Sequence, residues 1–302
     1  MNTPKTPPLE LERALGVSHA TAVVVGTVIG SGIFLVPSEM MRAVGSAELV
    51  YAAWLIGGVL SLFGAISYAE LGAMRPHAGG EYVYIRDGYG PLAGFITAWG
   101  WFLIAKPGSI ASIATAMMLV LGNFQALSFL STAAFSTPLA VTWGQIGAVL
   151  MITAISFVNC IGVKRAGEFQ AFLTIFKIAV VMAIVVLAFG ADQGTWAHFE
   201  TGFPGAQGGL SGFVVALVAA LWAYDGWNNL AMVAGELKNP ERTVPIALIA
   251  GMLIVAALYM LMNAGVQFVM PAPELAASER PAIAAMLIAA GTTAAGATRP
   301  AA

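Results

Sequence analysis

Three places in the chain hold the groups best able to bind a ligand. Residues 26–34 read "GTVIGSGIF", three glycines and a serine inside an uncharged run from 20 to 38. Residues 221–230 read "LWAYDGWNNL", which sets an acid, a glycine and two asparagines in a second apolar run. Lys177 closes "FLTIFK" at 172–177, again among apolar neighbours. The single cysteine, Cys160, and the histidines His19, His77 and His198 are too scattered to form a metal cluster or a nucleophile paired with a base. Neither a metal, a cofactor nor an enzyme is therefore indicated. What a break in an apolar helix does supply is recognition. The half that follows the break presents backbone N–H groups and a positive dipole end, suited to an anion; the half that precedes it presents bare carbonyls, suited to a cation.

The elements that must carry these groups are membrane helices. Of 302 residues, 59% are hydrophobic and 9% charged, against roughly a quarter charged in a soluble domain. Crossing the hydrocarbon takes about 20 apolar residues in a helix, because lipid cannot pair a backbone polar group. Uncharged runs predict seven helices, near 20–40, 48–70, 91–122, 139–162, 169–190, 210–236 and 243–269. Asn123, Gln125 and Ser136-Thr-Pro138 mark a loop at 123–138. The fold class is all-α integral membrane protein, in contact with the lipid bilayer. A formal charge of −2 gives no reason to expect a nucleic-acid partner.

Residues 1–19, with Pro4, Pro7 and Pro8, lack the basic stretch, short apolar core and cleavage site of a signal peptide and read as a cytoplasmic tail. Lys5, Arg13, Arg75, Arg86, Lys164, Arg165, Lys238 and Arg242 then fall on the inner side, against Arg42 and Arg280 outside. That bias places the N-terminus in the cytoplasm and disfavours the inverted arrangement of a seven-helix receptor. Residues 271–302 hold too few large apolar side chains for an eighth span and read as an extracellular loop and tail. Their ending, "AAGTTAAGATRPAA", reads as that of a prematurely ended or frameshifted reading frame.

A glycine inside a helix costs about 1 kcal/mol against alanine, so the cluster at 26–32 needs a reason. Gly26 and Gly30 form a GxxxG pair that lets a neighbouring helix approach. A dinucleotide loop is excluded, since the order is GxxxGxG and no strand and crossover surround it. The second interruption favours a break: Asp225 lies mid-span, where ionisable groups are expensive. Paired interruptions in the first and sixth spans point to a secondary transporter built from inverted repeats. An α-amino acid, with its two charges one carbon apart, complements both ends of such breaks.

These stretches carry a resemblance. "GTVIGSGIF" followed by Pro37, "SYAELGAMRPHAGGEYVYIRDGYG" at 67–90, "KPGSIA" at 106–111, "NCIGVKRAGEFQAFLTIFK" at 159–177 and "LWAYDGWNNLAMVAGELKNPERTVP" at 221–245 are similar to the amino acid-polyamine-organocation permeases, nearest the L-type amino acid transporters. The resemblance implies the five-plus-five inverted repeat of the leucine-transporter fold, here incomplete. Residues 20–190 would be the first repeat, helices one to five, and 191–270 the start of the second. It implies a cell-membrane secondary transporter that moves amino acids by alternating access, as an exchanger or coupled to protons. The alternative is a truncated, non-transporting fragment of such a permease, because the eighth helix would be missing.

By resemblance, the substrate carboxylate would accept hydrogen bonds from the N–H groups of Ser31 and Gly32, with Gly30 allowing close approach. The ammonium would donate to the carbonyls of Val28, Trp222 and Asp225. Ile29, Ala223 and Tyr224 complete the two segments, and Asn228 would satisfy freed backbone groups. Trp222 would close over the substrate, unless it is a packed core aromatic. Asp225, where relatives carry glycine, either favours cationic substrates or caps local N–H groups. Lys177 would set an ammonium where sodium-coupled relatives of the wider fold hold sodium, bonded to carbonyls near the glycine break. Sodium independence follows, and Lys177 becomes a candidate for proton coupling. The alternative, snorkelling, is uncomfortable so far from either helix end. Lys106, before Pro107, either snorkels or bonds carbonyls freed by the proline. Asn159, Glu81 and Glu236 read as structural. The 123–138 loop has no cysteine where animal relatives bond a glycoprotein, so no disulfide-linked ancillary subunit is expected.

Overall fold

The computed structural model describes residues 13–75, 79–135 and 140–291. Most of the 1–19 tail, His77, Ser136-Thr-Pro138 and the ending from 292 onward lie outside the described residues.

The first span is two helices, α1 (Val17–Val28) and α2 (Gly32–Val44), bent by 44° at the break. Ile29 leaves the helix with an extended ψ of 92°, and Ser31 re-enters it at φ −69° and ψ −20°. The span runs past the predicted end at 40 because Glu39 and Arg42 sit on exposed turns of α2; Gly45, at φ 76°, ends it in the left-handed conformation. Helix α3 (Ala47–Met74) follows, with Ser46 as its cap.

Helix α4 (Glu81–Tyr89) was not expected; its Glu81, Arg86 and Asp87 hid it from a search for uncharged runs. The third span matches its expected bounds but is composite: α5 (Pro91–Gly100), a π-helical turn (Trp101–Ala105) and α6 (Lys106–Gly122). Pro107 has no N–H to offer the carbonyl one turn earlier. The wider turn, in which Lys106 N–H donates to Trp101 O, absorbs that loss. The predicted loop at 123–138 contains a 3-10 turn (Gln125–Ser131) and the strand β1 (Ala133–Phe135), paired antiparallel with β2 (Val141–Thr142). The next helix therefore starts later than expected. In α7 (Trp143–Ile161), Thr142 and Gln145 exchange side-chain and backbone bonds in a capping box.

Helix α8 (Val163–Phe189) begins six residues before the expected 169, since its first turns carry Lys164, Arg165 and Glu168. A 3-10 turn (Trp196–Glu200) leads to the sixth span: α9 (Gly209–Ala223), a turn at 224–226, and a ten-residue 3-10 stretch (Trp227–Glu236). Helix α10 (Pro240–Val269) opens where Asn239, at φ 47°, turns the chain and Pro240 occupies the first helical position. Two short helices, α11 (Ala272–Ala277) and α12 (Pro281–Ala289), close the described chain; neither is long enough to cross a bilayer. Among the described residues, six helices are long and apolar enough to cross, or seven with the bent pair as one span.

The chain forms two compact units, one spanning Glu81–Gly167 and the other the remainder. In the smaller, α4 packs on α5 and α6 on α7, and Phe102, Leu103 and Ile104 remain exposed. In the larger, α10 lies against α3 and α1, and α2 against α9. Its core gathers Trp54, Tyr224 and Tyr259, all fully buried, while Leu55, Phe63 and Leu210 face outward. Apolar outer faces over an equally apolar interior suit lipid as the solvent. This is a multi-pass, all-α membrane protein with one short hairpin among the described residues.

Candidate functional site

The first break is held from α8. A Cβ at Gly26 would collide with the Thr174 hydroxyl and approach Gln170 Nε2 to 2.6 Å, so only glycine lets the two helices come this close. Gln170, Thr174 and Lys177 recur at helical spacing and form one face of α8. Thr174 Oγ1 lies 2.9 Å from the carbonyls of Ala22 and Gln170, with one proton to share between them. One turn on, Lys177 Nζ donates to Gly26 O at 2.9 Å and Ile29 O at 3.0 Å. These carbonyls belong to the last turn of α1 and the residue after it, the negative end of the helix, where a cation is favoured. The residue as a whole is exposed. The packing reading of the glycine pair thus holds for Gly26 but not for Gly30, where the nearest atom to an added Cβ would be Val28 O at 3.9 Å.

The two breaks abut. Gly226 has a φ of 122°, which only glycine adopts readily, and a Cβ there would stand 2.9 Å from Thr27 O. Thr27 Oγ1 lies 3.0 Å from Gly226 O and also within reach of the carbonyls of Val23 and Val24. On the other side, the Tyr259 hydroxyl of α10 is 2.9 Å from Val28 O and 3.0 Å from Ala223 O, the final carbonyls of α1 and α9. Its single proton serves both. Asn229 Nδ2 donates to Gly226 O at 2.9 Å, on the far side of the second break.

The carbonyl ends of the breaks are thus largely occupied, whereas the N–H end of α2 is not. Ser31 is exposed, and its side chain does not cap the helix. Among the described residues, the N–H groups of Ser31 and Gly32 have no backbone partner. Gly32 is buried because the second break covers it: an added Cβ would meet Ala223 Cα at 3.2 Å and Trp222 Cζ3 at 3.3 Å. Trp222 itself is 59% exposed, which excludes the fully packed core aromatic that was its alternative. Gly30 and Ser31 therefore lie at the surface beside Gly32, whose nearest neighbours are Trp222 and Ala223. The break leaves a positive helix end there, open to an anion.

Other expected residues lie elsewhere. Tyr224 turns away from the break; its ring packs edge-on to Trp54 at 5.6 Å and tilted to Tyr259 at 5.2 Å. It belongs to the core that backs the site. Of the three carbonyls expected to meet an ammonium, Val28 O accepts from Tyr259 and Trp222 O from Asp225 N–H at 3.2 Å, so each retains at most one lone pair. The Asp225 side chain is exposed and caps no N–H group among the described residues. Lys106 sits with its ammonium 4.5 Å from the Trp101 ring centre, a cation–π contact. Sequence reading missed Tyr259, Thr27 and Thr174. Each is a hydroxyl in an apolar span, and that was the available signal, since such groups seek partners across helices.

Residues 15–299 match the family model described as amino acid permease. The b(0,+)-type amino acid transporter 1 of Oryctolagus cuniculus is 35% identical over 284 residues, which cover 93% of this chain and 56% of that protein. The serine/threonine exchanger SteT of Bacillus subtilis (strain 168) is 33% identical over 88% of this chain and 57% of its own length. The human cystine/glutamate transporter is 32% identical over 92% and 55%. The chain spans about half the length of the curated relatives it matches. With a match over nearly all of its residues, the chain belongs to the amino acid permease family.

Proposed function

We propose that this chain binds amino acids at the paired breaks and takes part in their movement across the cell membrane by alternating access, without sodium. The observation that carries the reading is the division of labour at the first break. Lys177 and Tyr259 occupy the carbonyl end of α1, while among the described residues the N–H groups of Ser31 and Gly32 at the start of α2 have no backbone partner. A carboxylate fits that end by dipole and by hydrogen bonding. An α-ammonium one carbon away would reach the remaining lone pairs of Val28 and Trp222 and the carbonyl of Asp225. Trp222, exposed beside Gly32, would cover the ligand. Lys177 would supply from the protein the positive charge that a sodium ion supplies elsewhere, so no ion need enter.

In this reading 20–190 forms the first inverted repeat and 191–270 begins the second, and the abutting breaks of the first and sixth spans are their counterpart features. The relatives' printed substrates, serine, threonine, cystine and glutamate, support an α-amino acid as the ligand. The N-terminus lies in the cytoplasm, as the basic residues indicate. Because Cys160 is the single cysteine and lies outside the 123–138 connection, we propose no disulfide to an ancillary chain there.

Exchange in proteoliposomes tests the function. Radiolabelled neutral amino acid outside should enter vesicles preloaded with unlabelled amino acid, equally in sodium and choline buffers. No uptake under any gradient, with ligand binding retained, would leave a binding chain that does not transport; absence of both would remove the proposal.

A further inference from the structure

Between α3, Tyr224 and α10 lies a cavity of about 140 Å³. Leu55, Gly58 and Val59 form one wall and Leu253, Ala256 and Met260 the other. These residues sit near the middle of helices running Ala47–Met74 and Pro240–Val269, so the cavity lies near the mid-depth of two spans. Leu55, Val59 and Leu253 are all exposed, so the mouth opens sideways through the apolar outer face rather than toward either aqueous side.

Only two lining side chains carry nitrogen or oxygen. Trp54 Nε1 is sealed and has no hydrogen-bond partner among the described residues. The Tyr224 hydroxyl makes no hydrogen bond among the described residues and stands 3.1 Å from where a Cβ at Gly58 would be. Water needs two to four polar partners to stay in a protein cavity, whereas an apolar cavity of about 150 Å³ stays dry and accepts a benzene-sized apolar group. One phenol at the inner wall does not hold a water, and the bilayer supplies apolar chains at this depth.

We propose that this cavity is a binding site for a lipid acyl chain, which enters between α3 and α10 and packs against Tyr224. The occupant would press on the aromatic cluster behind the breaks: Trp54 lies edge-on to Tyr224 at 5.6 Å and to Tyr259 at 5.3 Å, and Tyr259 holds Val28 and Ala223. Bilayer composition thereby acts on the geometry of the breaks from the membrane side. The proposal rests on the chain spanning a membrane, not on its transporting anything.

The test uses the purified chain in nanodiscs of phosphatidylcholine bearing a diazirine in mid-chain, with photoadducts mapped by peptide mass spectrometry. Adducts should concentrate on 55–62 and 253–260 relative to the exposed residues Leu210 and Val218 of α9. Ala256→Phe and, separately, Leu62→Phe fill the cavity and should abolish that excess while labelling on α9 persists, which also reports that each variant is folded and inserted. Adducts no denser at the cavity than on α9 in the unaltered chain, or an excess that survives both substitutions, would overturn the proposal. If neither variant inserts, the pattern on the unaltered chain decides alone.

Discussion

The hydroxyl of Tyr259 donates to the carbonyl of Val28 at 2.9 Å, and the same oxygen is 3.0 Å from the carbonyl of Ala223. One side chain on α10 thus ties together the ends of both interrupted helices. Tyr259→Phe keeps the ring against Trp54 and Tyr224 and removes only this tie. A single hydrogen bond contributes about 0.5–1.5 kcal/mol net, so amino acid affinity should fall roughly two- to tenfold. Equilibrium binding to the purified variant checks this; unchanged affinity would make the tie incidental.

Lys177→Met removes the ammonium from the carbonyls of Gly26 and Ile29 and leaves both acceptors unpaired. An unsatisfied buried acceptor costs about 1–3 kcal/mol, so the variant should melt lower than the unaltered chain and lose exchange. A melt in detergent with and without sodium is the check. Stabilisation of Lys177→Met by sodium alone would show that the lysine stands in an ion site, while an unchanged melting temperature and rate would reduce Lys177 to a surface cation.

Gly26→Ala and Gly30→Ala separate packing from opening. The first drives a methyl into Thr174 and Gln170 and should destabilise by about 1–3 kcal/mol, as overpacking does. The second meets nothing closer than 3.9 Å and should leave stability nearly intact while hindering a ligand at the exposed break. Chemical denaturation of both variants, read against their ligand affinities, tests the pair. Equal destabilisation would return both glycines to simple helix packing.

Much of this was legible in the chain. The third span could be bounded because Asn123 and Gln125 mark the loop that closes it, and each break announced itself through glycine and polar residues in an apolar run. The partners were harder to read. Tyr259 lies 231 residues from Val28 and Thr174 lies 152 from Ala22, and no local pattern encodes such separations. Tyr224 was assigned to the ligand by its place in the segment, but the turn at 224–226 sends its ring inward, which depends on how Gly226 seats on Thr27. Helix α4 and the first turns of α8 carry charges, and a search for uncharged runs passes over them.

Asp225 is exposed beside the second break and, among the described residues, caps no N–H group. Asp225→Asn should therefore leave stability within about 0.5 kcal/mol, as for a surface substitution, and should weaken cationic amino acids relative to neutral ones. Competition by lysine and by leucine against a labelled neutral ligand measures the ratio. A ratio unchanged by the substitution would remove Asp225 from substrate selection.

The central claim is that the backbone N–H groups at the start of α2 hold the ligand's carboxylate. Ser31 already sits at φ −69°, which proline accepts, so Ser31→Pro deletes one of those donors with little change of path, whereas Ser31→Ala deletes only the hydroxyl. The deciding measurement is the affinity of both variants for an α-amino acid and for its decarboxylated amine. A hydrogen bond to a charged group contributes about 1.5–3 kcal/mol, so Ser31→Pro should bind the amino acid more weakly by about tenfold or more, Ser31→Ala should bind it normally, and the amine should bind none of the proteins well. Full affinity in a folded Ser31→Pro, or an amine that binds the unaltered chain as tightly as the amino acid, would contradict the account.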